Sequence, residues 1–300
     1  MKNEINTTEK KPKTVWINIH IPKCAGTSFA GILRYNFGPG FIDGRSFLNS
    51  ISFKYTSQHL GEIFTSIPYV KCYYGHNLTI DLPFKDYDIK AISFIRKPVD
   101  RFLSYYFYCR NHPVHNFDPD AKRLNLEDYV KKNLLALKRA DLWNGQMYHL
   151  TGSHTRDKLQ RVTELINDGH LYLFSVERFS EACVMLERCF PEDFLDCAYV
   201  VKNRSSRDQQ ISLELREQIK THMSLDEELY KMANQQMDKI SESLFQIEDI
   251  KKQALIELEQ KCENLKRQIN SPVYRGKLLI KAALERVLKV TPQVQAFTTP

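Results

Sequence analysis

The sequence lacks any long run of apolar residues. Its first apolar segment, residues 15–21, is seven residues long and is interrupted by Asn18 and His20, whereas a membrane-spanning helix needs about 20 consecutive apolar residues. Residues 1–13 before it are polar and rich in lysine, which does not fit the apolar core and cleavage site of a secretory signal. We therefore expect a cytoplasmic protein.

The cysteines also lack the spacing of a metal site or a disulfide framework. There are seven of them, an odd number, and they form no CxxC pair. A chain of 300 residues is long enough to bury a core without cross-links. We expect reduced thiols and, because the histidines show no HExxH-type spacing either, no metal site.

The composition is that of a globular chain, with 42% hydrophobic and 11% aromatic residues. Lysine and arginine outnumber aspartate and glutamate by 43 to 36, which gives a net charge of +7. This surplus fits a phosphorylated or sulfated ligand, a nucleic acid or an anionic membrane, and it does not choose between them.

Segments typical of strands alternate with segments typical of helices. The strand-like runs, rich in β-branched and aromatic residues, are residues 15–21, 70–74, 91–95, 171–175 and 198–201. The helical patterns between them cover residues 27–37, 99–110, 126–151 and 156–167, with another ending near residue 189. The alternation predicts an α/β fold of the P-loop-like, three-layer α/β/α kind with a central parallel sheet.

From residue 212 onward the pattern is helical and predicts a C-terminal helical extension. Apolar residues recur every three or four positions from Leu244 to Ile269, as in an amphipathic helix or a short coiled coil. Residues 276–290 form a basic amphipathic pattern that suits an anionic membrane surface or a helix packed on its own domain or on a second copy. We expect a disordered N-terminus (1–14), a catalytic domain (15–234) and a helical tail (235–300).

The most distinctive motif is IPKCAGTS, residues 21–28, between the first predicted strand and a helix. Ala25 and Gly26 are small enough for a phosphate to approach the backbone, and free N–H groups at the helix start would point at it. Lys23 adds positive charge at the loop entrance. The motif is not a Walker A loop, whose lysine directly precedes the Ser/Thr. The alternative is a strand–turn–helix junction with a Thr or Ser N-cap.

A second motif is FIRKPVDRFLSYY, residues 94–106. Arg96 ends a predicted buried strand, where parallel sheets place their ligands, and Ser104 follows about two helical turns later. A guanidinium and a hydroxyl could meet there on a second phosphate. The alternatives are a salt bridge for Arg96 and a solvated position for Ser104.

These two motifs, in this order, resemble the PAPS-dependent sulfotransferase family, where PAPS is 3′-phosphoadenosine 5′-phosphosulfate. The nearest branch resembles the Golgi carbohydrate sulfotransferases that include heparan sulfate 2-O-sulfotransferase, with the elements PKxAGTS and RDPVERFLSxYYY. The resemblance extends over roughly residues 15–233, and the tail lies outside it.

The resemblance implies a role for individual residues. Lys23, Cys24, Ala25, Gly26, Thr27 and Ser28 would form the 5′-phosphosulfate site, and Arg96 and Ser104 the 3′-phosphate site. Arg204 and Ser205 lie in the loop that closes over the nucleotide in the family. PAPS would be the co-substrate and a hydroxyl of a carbohydrate or other acceptor the partner, with no metal and no nucleic acid.

Two departures from the family pattern change what is expected. Lys97 stands where the family usually has an acidic residue, which removes a capping carboxylate ahead of the helix. The membrane anchor of the Golgi enzymes is missing, so we expect a cytosolic relative that acts on a different sugar, lipid or small-molecule hydroxyl.

A hydroxyl acceptor needs a base, and neutral imidazole suits that task near pH 7. His76 follows a predicted strand at the sheet edge that carries Lys23 and Arg96. The resembling branch has a His-Gly-His segment here, in which Tyr74 replaces the first histidine and His76 matches the second. We expect His76 to be the general base and Lys23 to stabilise the leaving group; the alternative is that His76 caps a loop. His20, inside the first predicted strand, is expected in the core.

Two other functions compete. A P-loop-type kinase using ATP would need a metal-binding Asp at a strand end, where this sequence has Arg96. A non-catalytic basic protein that binds a membrane surface would use the net charge and the tail, which could equally support a homo-oligomer or a peripheral membrane contact.

Overall fold

The computed structural model describes residues 12–44, 54–113, 117–201 and 211–271, and within them five parallel strands form one sheet. The strands are β1 (Thr14–Ile19), β2 (Phe41–Asp43), β3 (Cys72–Gly75), β4 (Asp88–Ile95) and β5 (Leu171–Ser175). Their order across the sheet is β2-β3-β1-β4-β5. The predicted α/β fold with a central parallel sheet is confirmed.

Helices flank the sheet and cover the apolar side chains that its strands carry on both faces. They are α1 (Gly26–Phe37), α2 (Ser57–Ser66), α3 (Pro98–Asn111), α4 (Pro119–Arg123), α5 (Leu126–Tyr129), α6 (Gly145–Thr151), α7 (Arg156–Asn167), α8 (Phe179–Cys189), α9 (Leu213–Lys220), α10 (Ser224–Leu244) and α11 (Glu248–Asn270). None of the helices in the described ranges combines the length and apolar character that crossing a bilayer requires.

Trp16 of β1 shows how the core is packed around the sheet. Its ring is 1% exposed and meets the rings of Phe190 and Phe194 edge to face, at centroid distances of 4.8 and 4.9 Å. Its indole N–H donates to the carboxylate of Asp193 at 2.9 Å. The central strand is therefore fixed by apolar contacts and by a satisfied polar group.

The strand order brings three strand ends together. β1 lies between β3 and β4, with Ile19 beside Gly75 and Asn18 beside Ile92. Because the strands are parallel, the residues that follow β3, β1 and β4 emerge side by side at the carboxyl edge of the sheet. This is where ligands bind in open α/β sheets.

The prediction of one helix over residues 126–151 is wrong. The segment forms the short α5, a π-helix over Val130–Ala136, an irregular turn and α6. Lys138 and Asn144 have φ angles of 45° and 47°, values that no α-helix accommodates. The apolar spacing continued across the break, so periodicity alone did not reveal it.

The predicted strand over residues 198–201 is also wrong, and β2 was not predicted. Side chains rather than a neighbouring strand bind the backbone there: the N–H of Cys197 donates to the carboxylate of Glu187 at 2.7 Å, and the N–H of Tyr199 to the Sγ of Cys262 at 3.3 Å. β2 has only three residues, too few to show a period of two.

The C-terminal helices pack on the body of the protein. The predicted boundary after residue 234 lies inside α10, where Gln236 and Met237 are buried. Of the predicted apolar seam, Ala254 and Leu258 are buried in the core. The domain division stays a prediction, and residues 276–290 lie outside the described residues.

Gln236 offers a test of this attachment. Its side-chain amide donates to the carbonyl of Leu171 at 2.9 Å and accepts from the N–H of Leu173 at 2.7 Å. Gln236→Ala leaves both buried backbone groups of β5 without their partner, so we expect the free energy of unfolding to fall by about 2–4 kcal/mol.

Urea denaturation measures this change. Gln235→Ala is the matched control, since its side chain is exposed and the effect should stay within about 0.5 kcal/mol. Equal small effects of both variants would contradict the attachment of α10 to the sheet through Gln236.

Candidate active site

A cavity of about 940 Å³ opens at the carboxyl edge of the sheet, lined by residues that follow β1, β3, β4 and β5. The sequence-predicted residues that line it are Lys23, Ala25, Gly26, Thr27, Ser28, His76, Arg96 and Ser104. Cys24 does not line it, because its side chain is buried behind the loop and 1% exposed. The structure thus brings the two sequence motifs to one cavity.

The loop before α1 has an unusual backbone. Lys23 and Ala25 have φ angles of 70° and 56°, a region that is costly for residues with a Cβ and is found at functional sites. The helix begins at Gly26 with Ala25 as its N-cap, so no hydroxyl of Thr27 or Ser28 caps it. The capped-junction alternative is therefore wrong, and the helix start faces the cavity without a capping side chain of its own.

Gly26 is required by the ring of His20. A Cβ at residue 26 would lie 1.8 Å from Nε2 of that ring, far inside van der Waals contact. His20 was predicted to lie within the first strand and in the core. It directly follows the end of β1, and although it is only 9% exposed, it lines the cavity. The imidazole therefore packs against the backbone of the loop.

His76 is oriented by the backbone of His20. Its Nδ1 lies 3.0 Å from the carbonyl oxygen of His20. Because a carbonyl only accepts, Nδ1 carries the hydrogen, and the lone pair of the neutral ring is then on Nε2. The two imidazoles are stacked at a centroid distance of 4.1 Å. His76 thus has the tautomer that a base needs.

Tyr74 forms hydrogen bonds to His20 and to the first residue of α1. Its hydroxyl lies 2.6 Å from Nδ1 of His20 and donates to the carbonyl of Gly26 at 3.2 Å. With its hydrogen directed to Gly26, the tyrosine oxygen accepts from Nδ1–H of His20. The tyrosine that replaces the first histidine of the family segment therefore connects β3 to the loop.

Lys54 and His149 lie near His76 and were not identified from the sequence. The ammonium group of Lys54 donates to the carbonyl of His76 at 3.1 Å, and burial lowers its pKa to about 8. Burial, and then the charges of Arg101 and Lys54, lower the pKa of His149. Lys54 is in an irregular segment and His149 in a short helix, so neither stands in a recognisable motif.

Arg96 and Lys23 are close to each other. Nη1 of Arg96 donates to the backbone carbonyl of Lys23 at 3.3 Å. The ammonium of Lys23 lies 3.8 Å from the ring centroid of Tyr108, a cation–π contact. Burial and the charge of Arg96 lower the pKa of Lys23. An anion bound between the two cations would offset their repulsion.

Ser104 and the start of α3 lie beside Arg96. Ser104 is 4% exposed and lines the cavity. Lys97 is the N-cap residue, and its backbone N–H donates to the carboxylate of Glu177 at 3.2 Å. The other oxygen of Glu177 accepts from the hydroxyl of Ser175 at 3.0 Å. The side chain of Lys97 does not cap α3, and the carboxylate of Glu177, 80 positions away, accepts a hydrogen bond from this helix start instead.

One part of the cavity wall is apolar and aromatic, and sequence reasoning missed it. Phe179 and Tyr199 meet edge to face at 4.7 Å, and the hydroxyls of Tyr199 and Ser180 are 2.9 Å apart. Val201 and, from α11, Leu255 also line the cavity. Flat apolar walls suit an aromatic base, but these residues come from separate segments with no local motif.

Arg204 and Ser205 lie outside the described residues. In the part of the chain that the structure describes, no three His, Cys, Asp or Glu side chains cluster as metal ligands would, and the absence of a metal site stays a prediction. The cavity is lined by cationic and hydroxyl side chains next to a helix start, a set that suits phosphate groups, and also by Glu177 and Glu181.

A comparison with family models matched the first part of the chain. Residues 8–141 match the family model described as Sulfotransferase family. This segment includes both motifs and His76. A search of curated proteins gave no match.

Two solved structures are similar in part. A sulfotransferase from Alicyclobacillus acidocaldarius is 13% identical, with 73% of this chain and 95% of that chain covered and a TM-score of 0.46. Mouse sulfotransferase SULT7A1, complexed with PAP, is 16% identical, with 73% of this chain and 65% of that chain covered and a TM-score of 0.36.

The contact between Gly26 and His20 yields a prediction. Gly26→Ala places a Cβ in the ring of His20, which is stacked on His76 and cannot easily withdraw. We expect the free energy of unfolding to fall by about 1–3 kcal/mol, as for other overpacked sites.

Thermal unfolding measures this effect, with Gly31→Ala as the control in the same helix. A Cβ at Gly31 meets nothing within 4 Å, so alanine there should be neutral or stabilise by up to about 1 kcal/mol. A Gly26→Ala variant as stable as Gly31→Ala would refute the close packing of His20 on the loop.

Proposed function

We propose that this protein is a PAPS-dependent sulfotransferase, which transfers the sulfuryl group of PAPS to a hydroxyl of a carbohydrate or other acceptor. The observation that carries the proposal is that the Lys23 loop and the Arg96–Ser104 pair line one cavity. PAPS has anionic groups at the 5′ and 3′ positions of one ribose, and the cavity has a separate cationic element for each. Its volume of about 940 Å³ lies within the range of small-molecule sites.

The binding roles follow from the groups that each element offers. The N–H groups at the start of α1 and the ammonium of Lys23 would bind the 5′-phosphosulfate. Arg96 and Ser104 would bind the 3′-phosphate. Phe179 and Tyr199 would contact the adenine, with Leu255 on the same apolar wall. The positive φ angles of Lys23 and Ala25 fit a loop shaped for an anion rather than for its own stability.

In the proposed reaction the acceptor oxygen forms a bond to sulfur as the bond from sulfur to the 5′-phosphate oxygen breaks. Nε2 of His76 takes the acceptor proton, while its Nδ1–H remains bonded to the carbonyl of His20. Lys23 neutralises the charge that develops on the leaving phosphate. The products are the sulfated acceptor and PAP.

The type of acceptor and the location in the cell are proposed from the sequence. A carbohydrate acceptor is proposed from the resemblance of residues 21–28 and 94–106 to the carbohydrate branch of the family. A cytoplasmic location, with or without a membrane contact through the C-terminal residues, stays a prediction.

Ligand binding tests the proposal. We expect PAP to bind at least about tenfold more tightly than ATP, with or without EDTA, because Arg96 and Ser104 would recognise a phosphate on the 3′ position that ATP lacks. Isothermal titration calorimetry with both nucleotides measures the difference.

Two other results identify the competing functions. Magnesium-dependent preference for ATP would support the kinase. Equal affinity for the two nucleotides that falls steeply with salt would support a non-specific basic binding protein. Either result would defeat the sulfotransferase proposal.

His76 supplies a second prediction. His76→Ala should lower the turnover of PAPS with a competent acceptor about 10²–10⁴-fold, the usual contribution of a general base, while PAP affinity changes by less than about threefold. Transfer of labelled sulfate to acceptors in a cell extract measures the turnover.

The control is His170→Ala. His170 directly precedes β5 and so lies at the opposite edge of the sheet, where its Nδ1 bonds the carbonyl of Ile89 at 2.9 Å. Its turnover per folded molecule should match that of the unmodified protein. Loss of both turnover and PAP affinity in His76→Ala would mean that His76 is structural.

A further inference from the structure

We propose that Gln146 is a positioning residue that sets the geometry of the 3′-phosphate element and connects it to the 5′ loop. Its side chain is fully buried, at 0% exposed, and does not line the cavity. Its Oε1 accepts from the backbone N–H of Arg96 at 2.8 Å, and its Nε2 donates to the carbonyl of the same residue at 2.8 Å. One planar amide thus fixes both backbone groups of Arg96.

The same oxygen also bonds the loop. The thiol of Cys24 donates to Oε1 of Gln146 at 3.3 Å. Burial raises the pKa of this thiol to about 12, so the group stays protonated and keeps its hydrogen for the amide. Gln146 therefore contacts a residue of each phosphate element, and Cys24 acts from behind the loop.

Gln146 is itself held by α10. The carboxylate of Asp226 accepts from the backbone N–H groups of Gln146 and Met147 at 3.1 and 2.8 Å. In return Oδ1 of Asn144 accepts from the N–H groups of Leu225 and Asp226 at 2.9 and 3.2 Å. The starts of α6 and α10 cap each other, which gives the amide a rigid support.

The functional consequence concerns the guanidinium of Arg96. Among the described residues it donates at 3.3 Å to the carbonyl of Lys23, and a single long hydrogen bond does not fix a long side chain. Because Gln146 holds the backbone of Arg96, the Cα–Cβ bond of Arg96 has one fixed position and direction. Preorganisation of this kind strengthens binding because less conformational entropy of the side chain is lost when the ligand binds.

The inference rests on the proposed function, and the affinity ratio of PAP to 5′-AMP tests it. AMP lacks the 3′-phosphate, so the ratio reports the contribution of the proposed 3′-phosphate element, Arg96 with Ser104. We expect Arg96→Ala to lower the ratio at least about tenfold and Gln146→Met about five- to tenfold. In the Arg96→Ala background Gln146→Met should change the ratio by less than about twofold, because the group through which it acts is gone.

Gln236→Met is the matched control. That glutamine is also buried and also binds one carbonyl and one N–H of a strand, at β5 instead of at Arg96. We expect Gln236→Met to lower the free energy of unfolding by an amount comparable to Gln146→Met and to leave the affinity ratio of PAP to AMP unchanged. If Gln146→Met does not fold, Gln146→Asn replaces it: it keeps a polar amide but is one methylene shorter, so the amide cannot reach both backbone groups of Arg96, and the ratio should again fall.

The outcomes separate the inference from the function on which it rests. An unmodified protein without preference for PAP over AMP would refute the proposed function. A protein with that preference whose ratio is unchanged in the Gln146 variants, or lowered equally by Gln236→Met or equally in the Arg96→Ala background, would refute the role of Gln146 alone.

Discussion

The site depends on two arginines that bind consecutive carbonyl groups of one loop. Arg96, after β4, donates to the carbonyl of Lys23 at 3.3 Å, and Arg101, on α3, donates through Nε to the carbonyl of Pro22 at 3.2 Å. Arg101 is 1% exposed, also donates to the carbonyl of Asp141 at 2.5 Å, and its Nη2 has no partner among the described residues. Both cations therefore lie next to a loop with positive φ angles at Lys23 and Ala25, and a bound anion would offset their charge.

His20 connects this loop to His76, the proposed base. Its ring occupies the space above Gly26, its carbonyl sets the tautomer of His76, and its Nδ1 bonds the hydroxyl of Tyr74. These contacts join the start of α1 to β3 and to the residue that follows β3. The orientation of His76 is therefore coupled to the conformation of the loop, so that the proposed base and the proposed leaving-group site depend on the same packing.

The sequence predicted the site residues whose position follows from the order of the strands along the chain. It did not predict the residues whose role depends on hydrogen bonds to distant segments. Lys23, Arg96 and His76 were predicted to meet because each follows a strand of a parallel sheet, a relation that order along the chain already contains. Gln146 could not be assigned a role, since its partners Arg96 and Asp226 are 50 and 80 positions away. The break within residues 126–151 was missed for a related reason: Arg139, at the break, bonds Asp118, which is 21 positions away, and such a pairing leaves no period.

The groups that would touch the ligand come from two parts of the chain. The matched segment, residues 8–141, contains the loop, His76, Arg96 and Ser104, whereas Gln146, Asp226 and the aromatic wall follow it. Even α11 takes part, because Leu255 lines the cavity and Lys251 pairs at 2.8 Å with Glu181 on its wall. A substitution in these later helices should therefore reach the cavity through packing and hydrogen bonds, because α10 holds Gln146 and α11 supplies part of the cavity wall.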